Sequence, residues 1–252
     1  MPKKRLERWF IEEARMVCPI IPAGQITESE CPDFLIQAES GTLGIEVTQL
    51  FQRKAAGAFS PREVEGFQDK TIRKAEYLYS SSDGIPVDVV VYFKDEKTRR
   101  DPIRMAKSLA NFVQRRYGDH EDGIKSYQLP DVPPGIFSIR VARPLDGNTN
   151  VWQRGHGGRT LPLSDDLLTD RIKAKNKVVP RYGEKARRVW LLIVADLFPP
   201  SANFSVPNGI TEWKFHFDFD KVLLWSRQDR RVFELGRAQG ADAWPRPRER
   251  RR

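Results

Sequence analysis

Cysteine and histidine are scarce in this chain. Its 252 residues include two cysteines, Cys18 and Cys31, and three histidines, His120, His156 and His216. Two cysteines exclude a disulfide framework and any cysteine-rich zinc site, and either suits a core position. The histidines lie far apart and match no His-x-x-x-His spacing, so a multi-histidine metal centre has no support. Long apolar runs are also missing. The longest, Val189–Ala195, falls well short of the about 20 residues that span a bilayer. No apolar segment of signal length follows the basic N-terminus. These absences predict a soluble, cytoplasmic protein and leave carboxylates as the side chains available to hold a metal.

Charge is what the chain has in excess. Charged residues make up 31%, against a usual value of about 25%. Lys and Arg number 43, Asp and Glu 34, and the net charge is +9. Residues 244–252 carry five arginines and one glutamate, so the excess belongs partly to a basic tail and partly to the body. Such a balance suits a polyanionic partner, here nucleic acid. Lys3-Lys4-Arg5, Arg115-Arg116, Arg187-Arg188 and the tail are the candidates for tracking a phosphate backbone. Arg115-Arg116 also fall at a helix C-terminus, where cations are favourable without any ligand. No zinc finger, RNA-recognition aromatic signature or helix-turn-helix is present, so no base preference is readable. Trp152, beside Arg154 and His156 in a glycine-rich stretch, is the tryptophan expected to touch substrate.

The pattern of elements predicts an α/β fold with a mixed central sheet flanked by helices. Phe10, Ile11, Ala14, Val17 and Cys18 form one face of a helix over 3–18. Short strands are expected at 33–37 and 42–48, joined by a turn at Ser40-Gly41. Ser60-Pro61-Arg62-Glu63 has the form of a capping box and opens a helix to about Tyr79. Pro86–Phe93 reads as a strand covered on both faces. A helix follows Asp101-Pro102, with Ile103, Ala106, Leu109, Ala110 and Val113 along one side and Gly118 past its end. Phe137–Val141 reads as a strand, 143–163 as a loop insertion and 164–179 as a helix. Val189–Ala195 reads as a central strand, and a C-terminal hairpin is expected around Arg227–Arg230. Residues 1–239 are expected to form one domain, with 240–252 a flexible basic tail.

Two carboxylates carry the chemistry. In Cys31-Pro32-Asp33-Phe34-Leu35-Ile36 and Gly44-Ile45-Glu46-Val47-Thr48-Gln49, residues 44, 46 and 48 share one strand face. A two-residue turn at Ser40-Gly41 sets Asp33 opposite Thr48 and Glu46 opposite Leu35, so the two acids are diagonal neighbours on one face. Converging carboxylates repel unless a cation or proton intervenes. Hard oxygen ligands of this kind favour Mg²⁺ or Mn²⁺. The competing reading has Asp33 capping the start of its strand and Glu46 pointing to solvent from an edge strand.

The same residues resemble the PD-(D/E)XK nuclease superfamily, whose restriction-endonuclease-like fold runs α-β-β-β-α-β. There a Pro-Asp opens the second strand, and a Glu-x-Lys lies on the third. Pro32-Asp33 and Glu46 match, and the resemblance covers residues 3–93, with the helix 60–79 and the strand 86–93 as the following α-β. A first strand is then required between Pro19 and Ile26, where the sequence shows none. Thr48 stands in place of the motif lysine, which positions the attacking water and balances transition-state charge. The lysine has either migrated to a helix, as in divergent members, or the site keeps only binding. Thr48 still offers a hydroxyl to a metal shell, and Gln49 a group to orient substrate.

Helix patterning supplies the remaining candidates. Glu7 lies on the apolar stripe of the first helix and is the preferred third carboxylate, against the plain reading of a helix-dipole contact. Lys74 flanks the stripe of the helix that follows Glu46, and Lys175 sits mid-stripe on the helix 164–179. Lys74 is preferred by its place in the motif order, although either could snorkel to water. The resemblance thus implies a Mg²⁺- or Mn²⁺-dependent phosphodiester hydrolase acting on nucleic acid, DNA ahead of RNA, with a homodimer as one arrangement open to it. Asp33 and Glu46 would hold the metal, with Glu7, Thr48 and Lys74 completing the site. A catalytically inactive nucleic-acid-binding or assembly protein on the same fold is the alternative. A protein-interaction scaffold would neither bind nor cleave nucleic acid.

Overall fold

A computed structural model describes residues 3–238 other than 40, 55–57, 83–84, 95–100, 118–122, 145–146, 156–159, 183–184 and 187. The expectations resting on Ser40, Gly118, His120, His156, Arg187 and the 240–252 tail lie outside the described residues. The chain divides into two compact units, Met1–Gln52 with Thr160–Arg252, and Arg53–Arg159. In chain order the first unit opens with α1 (Lys3–Val17), β1 (Gln25–Glu28), β2 (Phe34–Ala38) and β3 (Gly41–Gln49). The second holds α2 (Pro61–Ser80), β4 (Asp88–Phe93), α3 (Pro102–Arg116), β5 (Ile124–Gln128), β6 (Ile136–Ala142) and β7 (Val151–Arg154). The first resumes with β8 (Leu161–Pro162), α4 (Asp165–Asn176), β9 (Arg188–Ala195), β10 (Phe204–Ser205) and β11 (Lys214–Phe215). It ends with β12 (Lys221–Ser226), β13 (Arg231–Glu234) and β14 (Gly236–Arg237).

The first unit is built on a mixed sheet in the order β1-β2-β3-β9-β12-β13. Its first three strands form an antiparallel meander, β3, β9 and β12 run parallel, and β13 returns antiparallel in the expected hairpin. Two cores cover its faces. Phe10, Ile11 and Ala14 of α1 pack against Leu43, Ile45 and Val47 of β3 and Trp190, Leu192 and Val194 of β9. On the opposite face Leu168 and Ile172 of α4 pack with Leu191 and Ile193. With both faces covered, β9 is an uninterrupted apolar run, as its central place requires. The short parallel pairs β8–β10 and β11–β14 lie outside this sheet.

The second unit is a four-stranded sheet, β5-β6-β4-β7, with α2 and α3. The capping box at its first helix is complete, Ser60 N donating to Glu63 Oε2 at 2.8 Å and Glu63 N to Ser60 Oγ at 3.2 Å. Asp101 caps α3 by accepting from Ile103 N. Three expectations change here. Val89 and Val91 are buried, while Asp88, Val90 and Tyr92 are only partly covered, so β4 alternates rather than being buried on both faces. Ile103 is exposed, and Met105 and Phe112 take core places on α3. Part of the expected loop 143–163 is β7, which pairs parallel with β4, a long-range contact that no local pattern announces.

The β2–β3 register is displaced by two residues from the expected one: Leu35 pairs with Gly44, not Glu46, and Ala38 with Gly41. The displacement is even, so the faces are unchanged. The β2–β3 pairing ends at Phe34 with Ile45; Asp33 precedes it on one side and Glu46 follows it on the other. β1 supplies the strand that the sequence did not reveal, at Gln25–Glu28, overlapping only the end of the interval expected for it.

Candidate functional site

Glu46 is buried in the middle of β3, on the face toward α4. It belongs to an interior strand, which removes the reading of a solvent-facing glutamate on a sheet edge. Its Oε1 accepts from Lys175 Nζ at 2.6 Å. Lys175 comes from α4, whose Leu168 and Ile172 anchor the helix to the sheet on that side. Burial pushes the Glu46 carboxyl above the ordinary glutamate range; the Lys175 contact opposes this, and the nearby Asp33 charge adds to it.

Asp33 sits just before β2 and is also buried. Its Oδ2 accepts from Val47 N at 3.0 Å, and its Oδ1 from Lys4 Nζ at 2.8 Å. The aspartate therefore does cap the strand pair, while its second oxygen meets an ammonium from α1. Lys4 also donates to the carbonyls of Ser29 and Asp33. Burial alone would lower its pKa, but the Asp33 bond and charge, with Glu7 and Glu30, raise it overall.

Glu7 is buried one turn along α1, with Lys3 Nζ 3.1 Å from Oε1. Its other oxygen, Oε2, is buried with no hydrogen-bond partner among the described residues. Lys4 lies within electrostatic reach of both Glu7 and Asp33. Thr48 is buried two residues beyond Glu46 on the same strand face. Gly44, two residues before Glu46, allows a close approach: a Cβ there would lie 2.5 Å from Pro32 Cγ and 3.1 Å from Ala186 Cβ. The absence of a side chain at 44 lets Pro32, and Asp33 after it, settle against β3.

The preferred lysine is not the one at Glu46. Lys74 belongs to the second unit, where its ammonium lies 4.6 Å from the Tyr77 ring centroid. Lys175, its competitor, makes the contact. Trp152 is buried against Tyr79, with ring centroids 5.4 Å apart, and is a core residue of the second unit. Arg154 is held by Gln68 at 3.2 Å and lies near Glu65 and Asp69, which offset its charge within that unit.

Gln49 leaves the carboxylates altogether. Its amide donates to Asp196 Oδ2 at 2.9 Å, and Asp196 is paired with Arg227, which stacks 4.2 Å over Trp9. This network ties the ends of β3, β9 and β12 to α1. Sequence reasoning missed Lys4 as an inward-facing partner, because it sits in a basic triplet that looks solvated. It also missed Tyr182, which is buried in the α4-side core and interacts with Glu46.

The oxygen donors here are of the kind a hard divalent cation takes: the buried carboxylates of Asp33, just before β2, and Glu46 on β3, with the Thr48 hydroxyl on the same strand as Glu46. Mg²⁺ commonly takes one or two protein carboxylates and completes its shell with water and phosphate. No cluster of three or more His, Cys, Asp or Glu side chains poised for a metal occurs among the described residues. The charge of the pair is offset by Lys4 and Lys175, so the two acids do not by themselves require a cation.

Comparison with protein-family models, with curated proteins and with solved structures yields no match. The fold defines the chain as a mixed α/β protein, and no described helix is long and apolar enough to cross a membrane.

Proposed function

We propose that the protein is a Mg²⁺- or Mn²⁺-dependent nuclease of the PD-(D/E)XK type, with Asp33 and Glu46 as metal ligands. The observation that carries the reading is the Lys175 ammonium 2.6 Å from Glu46, on the strand that follows the Pro-Asp strand. The element order α1-β1-β2-β3-α4-β9 supports it, because it is the α-β-β-β-α-β order of that fold with the second unit inserted between β3 and β8. In this reading α4 and β9, rather than α2 and β4, are the second helix and fourth strand. The lysine has moved from the strand to the helix that crosses it.

A bound cation would polarise the scissile phosphate and acidify the attacking water. Asp33 and Glu46 would orient it, and the buried Glu7 would add negative charge on the α1 side. Lys175, bonded to Glu46 Oε1, would place a positive charge beside the charge that builds on the phosphate oxygens as water adds and the leaving P–O bond breaks. Thr48 remains a hydroxyl donor on the same strand face. The net charge of +9 would draw the polyanion toward this centre.

Incubating the full chain with DNA and RNA in Mg²⁺ or Mn²⁺ tests the reading. Cleavage is expected with metal, lost in EDTA and in Asp33→Ala, Glu46→Ala and Lys175→Met, and kept in Lys74→Met. Cleavage that survives both carboxylate substitutions would sink it. The two lysine contacts favour a second reading, a nucleic-acid-binding protein without turnover, because they neutralise both acids without a cation. That reading expects salt-sensitive binding and no cleavage with either metal.

A further inference from the structure

The sheet of the second unit carries its core on one face. Ala75 and Tyr79 of α2 and Leu109 and Val113 of α3 pack there with Val89 and Val91 of β4 and Ile139 and Val141 of β6. Val90, Tyr92, Ser138, Arg140, Gln153 and Gly155 alternate onto the other face, and none of them is buried. A β-bulge changes what that face displays. Tyr92 pairs with Ser138 but Phe93 with Ile136, so Phe137 is the extra residue of β6. With Ile136 and Ile139 both in the core, Phe137 and Ser138 are both turned outward, and Phe137 is 54% exposed. The bulge thus adds a second aromatic side chain to the open face, one residue from the partner of Tyr92.

Tyr92 itself lies flat against the end of β7. Gly155 N donates to Val91 O at 2.8 Å, and a Cβ on Gly155 would lie 2.5 to 2.6 Å from three consecutive atoms of the Tyr92 ring, over its face rather than its edge. Only glycine leaves room for the ring there. Arg140, two residues from Ser138, is exposed, and Lys94, two beyond Tyr92, is partly so. Neither side chain makes an ion pair or hydrogen bond among the described residues. The one acid at the described strand positions of this face, Asp88, is four residues from Tyr92 along β4. Two aromatic side chains therefore stand in the open with free cations beside them. Such a ring accepts any base on its π-face, and only unpaired, unstacked bases have a face to offer. We propose that this face binds single-stranded nucleic acid, bases stacking on Tyr92 and Phe137 while phosphates meet Arg140 and Lys94. The inference goes beyond the nuclease reading and does not need it, since no group of the Asp33 and Glu46 site takes part.

Anisotropy of a fluorescein-labelled oligothymidylate, titrated with the full chain in EDTA so that metal-dependent cleavage is stopped, tests this. Phe137→Ala removes an exposed ring, and Tyr92→Leu keeps an apolar side chain beside Gly155; thermal unfolding checks that both fold. Each is expected to weaken binding at least about fivefold, the lower end of what a base-stacking aromatic contributes, without changing the dependence of log K on log salt. Arg140→Ala should flatten that dependence by about 0.7. A duplex of the same length is expected to bind with equal strength to wild type and Phe137→Ala. Oligothymidylate affinity unchanged in Phe137→Ala, or no binding by wild type, would overturn the inference, whatever Tyr92→Leu does. So would a dimer in sedimentation that Phe137→Ala dissociates while oligothymidylate affinity stays the same, since a second copy then covers the face. Metal-dependent cleavage alongside any of these results leaves the nuclease reading standing. Binding that depends on the rings, in a protein that cleaves with neither metal, overturns the nuclease reading alone.

Discussion

At the scale of single residues, the site is a set of buried acids held by lysines, and the balance is sensitive to each partner. Lys175→Met leaves Glu46 buried with its main counter-charge gone. Breaking a buried pair typically costs about 3–5 kcal/mol; with Lys175 24% exposed in its side chain, a loss of about 3 kcal/mol is expected in urea unfolding at neutral pH. The sign of the pH dependence follows from the raised Glu46 pKa. The folded state keeps the Glu46 proton to higher pH than the unfolded chain does. Its contribution to stability is fully present below the unfolded pKa and is lost as pH rises through the folded one. Removing the lysine widens that gap. The difference between Lys175→Met and wild type should therefore shrink as unfolding is measured at falling pH, and a constant difference would refute the pairing. The identity of the lysine was half-legible. Lys175 interrupts an apolar stripe, but its choice over Lys74 needed the crossover of α4 onto β3.

At the scale of elements, the close approach of Pro32 to β3 decides where Asp33 lies. Gly44→Ala would bring a Cβ to 2.5 Å from Pro32 Cγ, with Ala186 next to it and no flexible side-chain tip to yield. Overpacking of this kind costs about 1–3 kcal/mol, and here it displaces the residue next to Asp33. Both unfolding midpoint and Mn²⁺ affinity should fall. A Gly44→Ala protein with unchanged metal affinity would detach the glycine from the site. Ser60→Ala provides the contrast. It removes the side-chain cap of α2 and should destabilise the second unit by about 1 kcal/mol, seen in urea unfolding, with cleavage unaffected. The capping box was readable because its chemistry is local, three residues apart. The β2–β3 register was readable only to within an even displacement, because alternation determines the face of each residue but not its partner.

At the scale of the whole molecule, two units share one chain and one basic surplus. The arginines of residues 244–252 should add to nucleic-acid affinity through counterion release. Deleting that segment is expected to weaken binding most at low salt. It should also flatten the dependence of log K on log salt by up to about 0.7–0.9 for each arginine that no longer meets a phosphate. Fluorescence anisotropy with a labelled oligonucleotide across a salt series measures this, and an unchanged slope would show that the tail touches no phosphate. The division into units was not legible at all. Helix 61–80 and strand 88–93 carry the right patterns to continue the motif core, and only their packing with α3, β6 and β7 assigns them elsewhere.

Composition, periodicity and local capping were enough to determine a mixed α/β chain, the positions of the four α-helices among the described residues and the central apolar strand. Each of these depends on residues near one another in sequence. Tertiary structure alone decided that β1 completes the meander, that α4 and β9 rather than α2 and β4 follow β3 in the sheet unit, and that Lys4, Lys175 and Tyr182 surround the acids. Such neighbours lie far apart along the chain, Lys175 and Glu46 by 129 positions. A side chain's neighbours across such a span are chosen by how the buried faces of whole elements pack, which leaves no trace in local spacing.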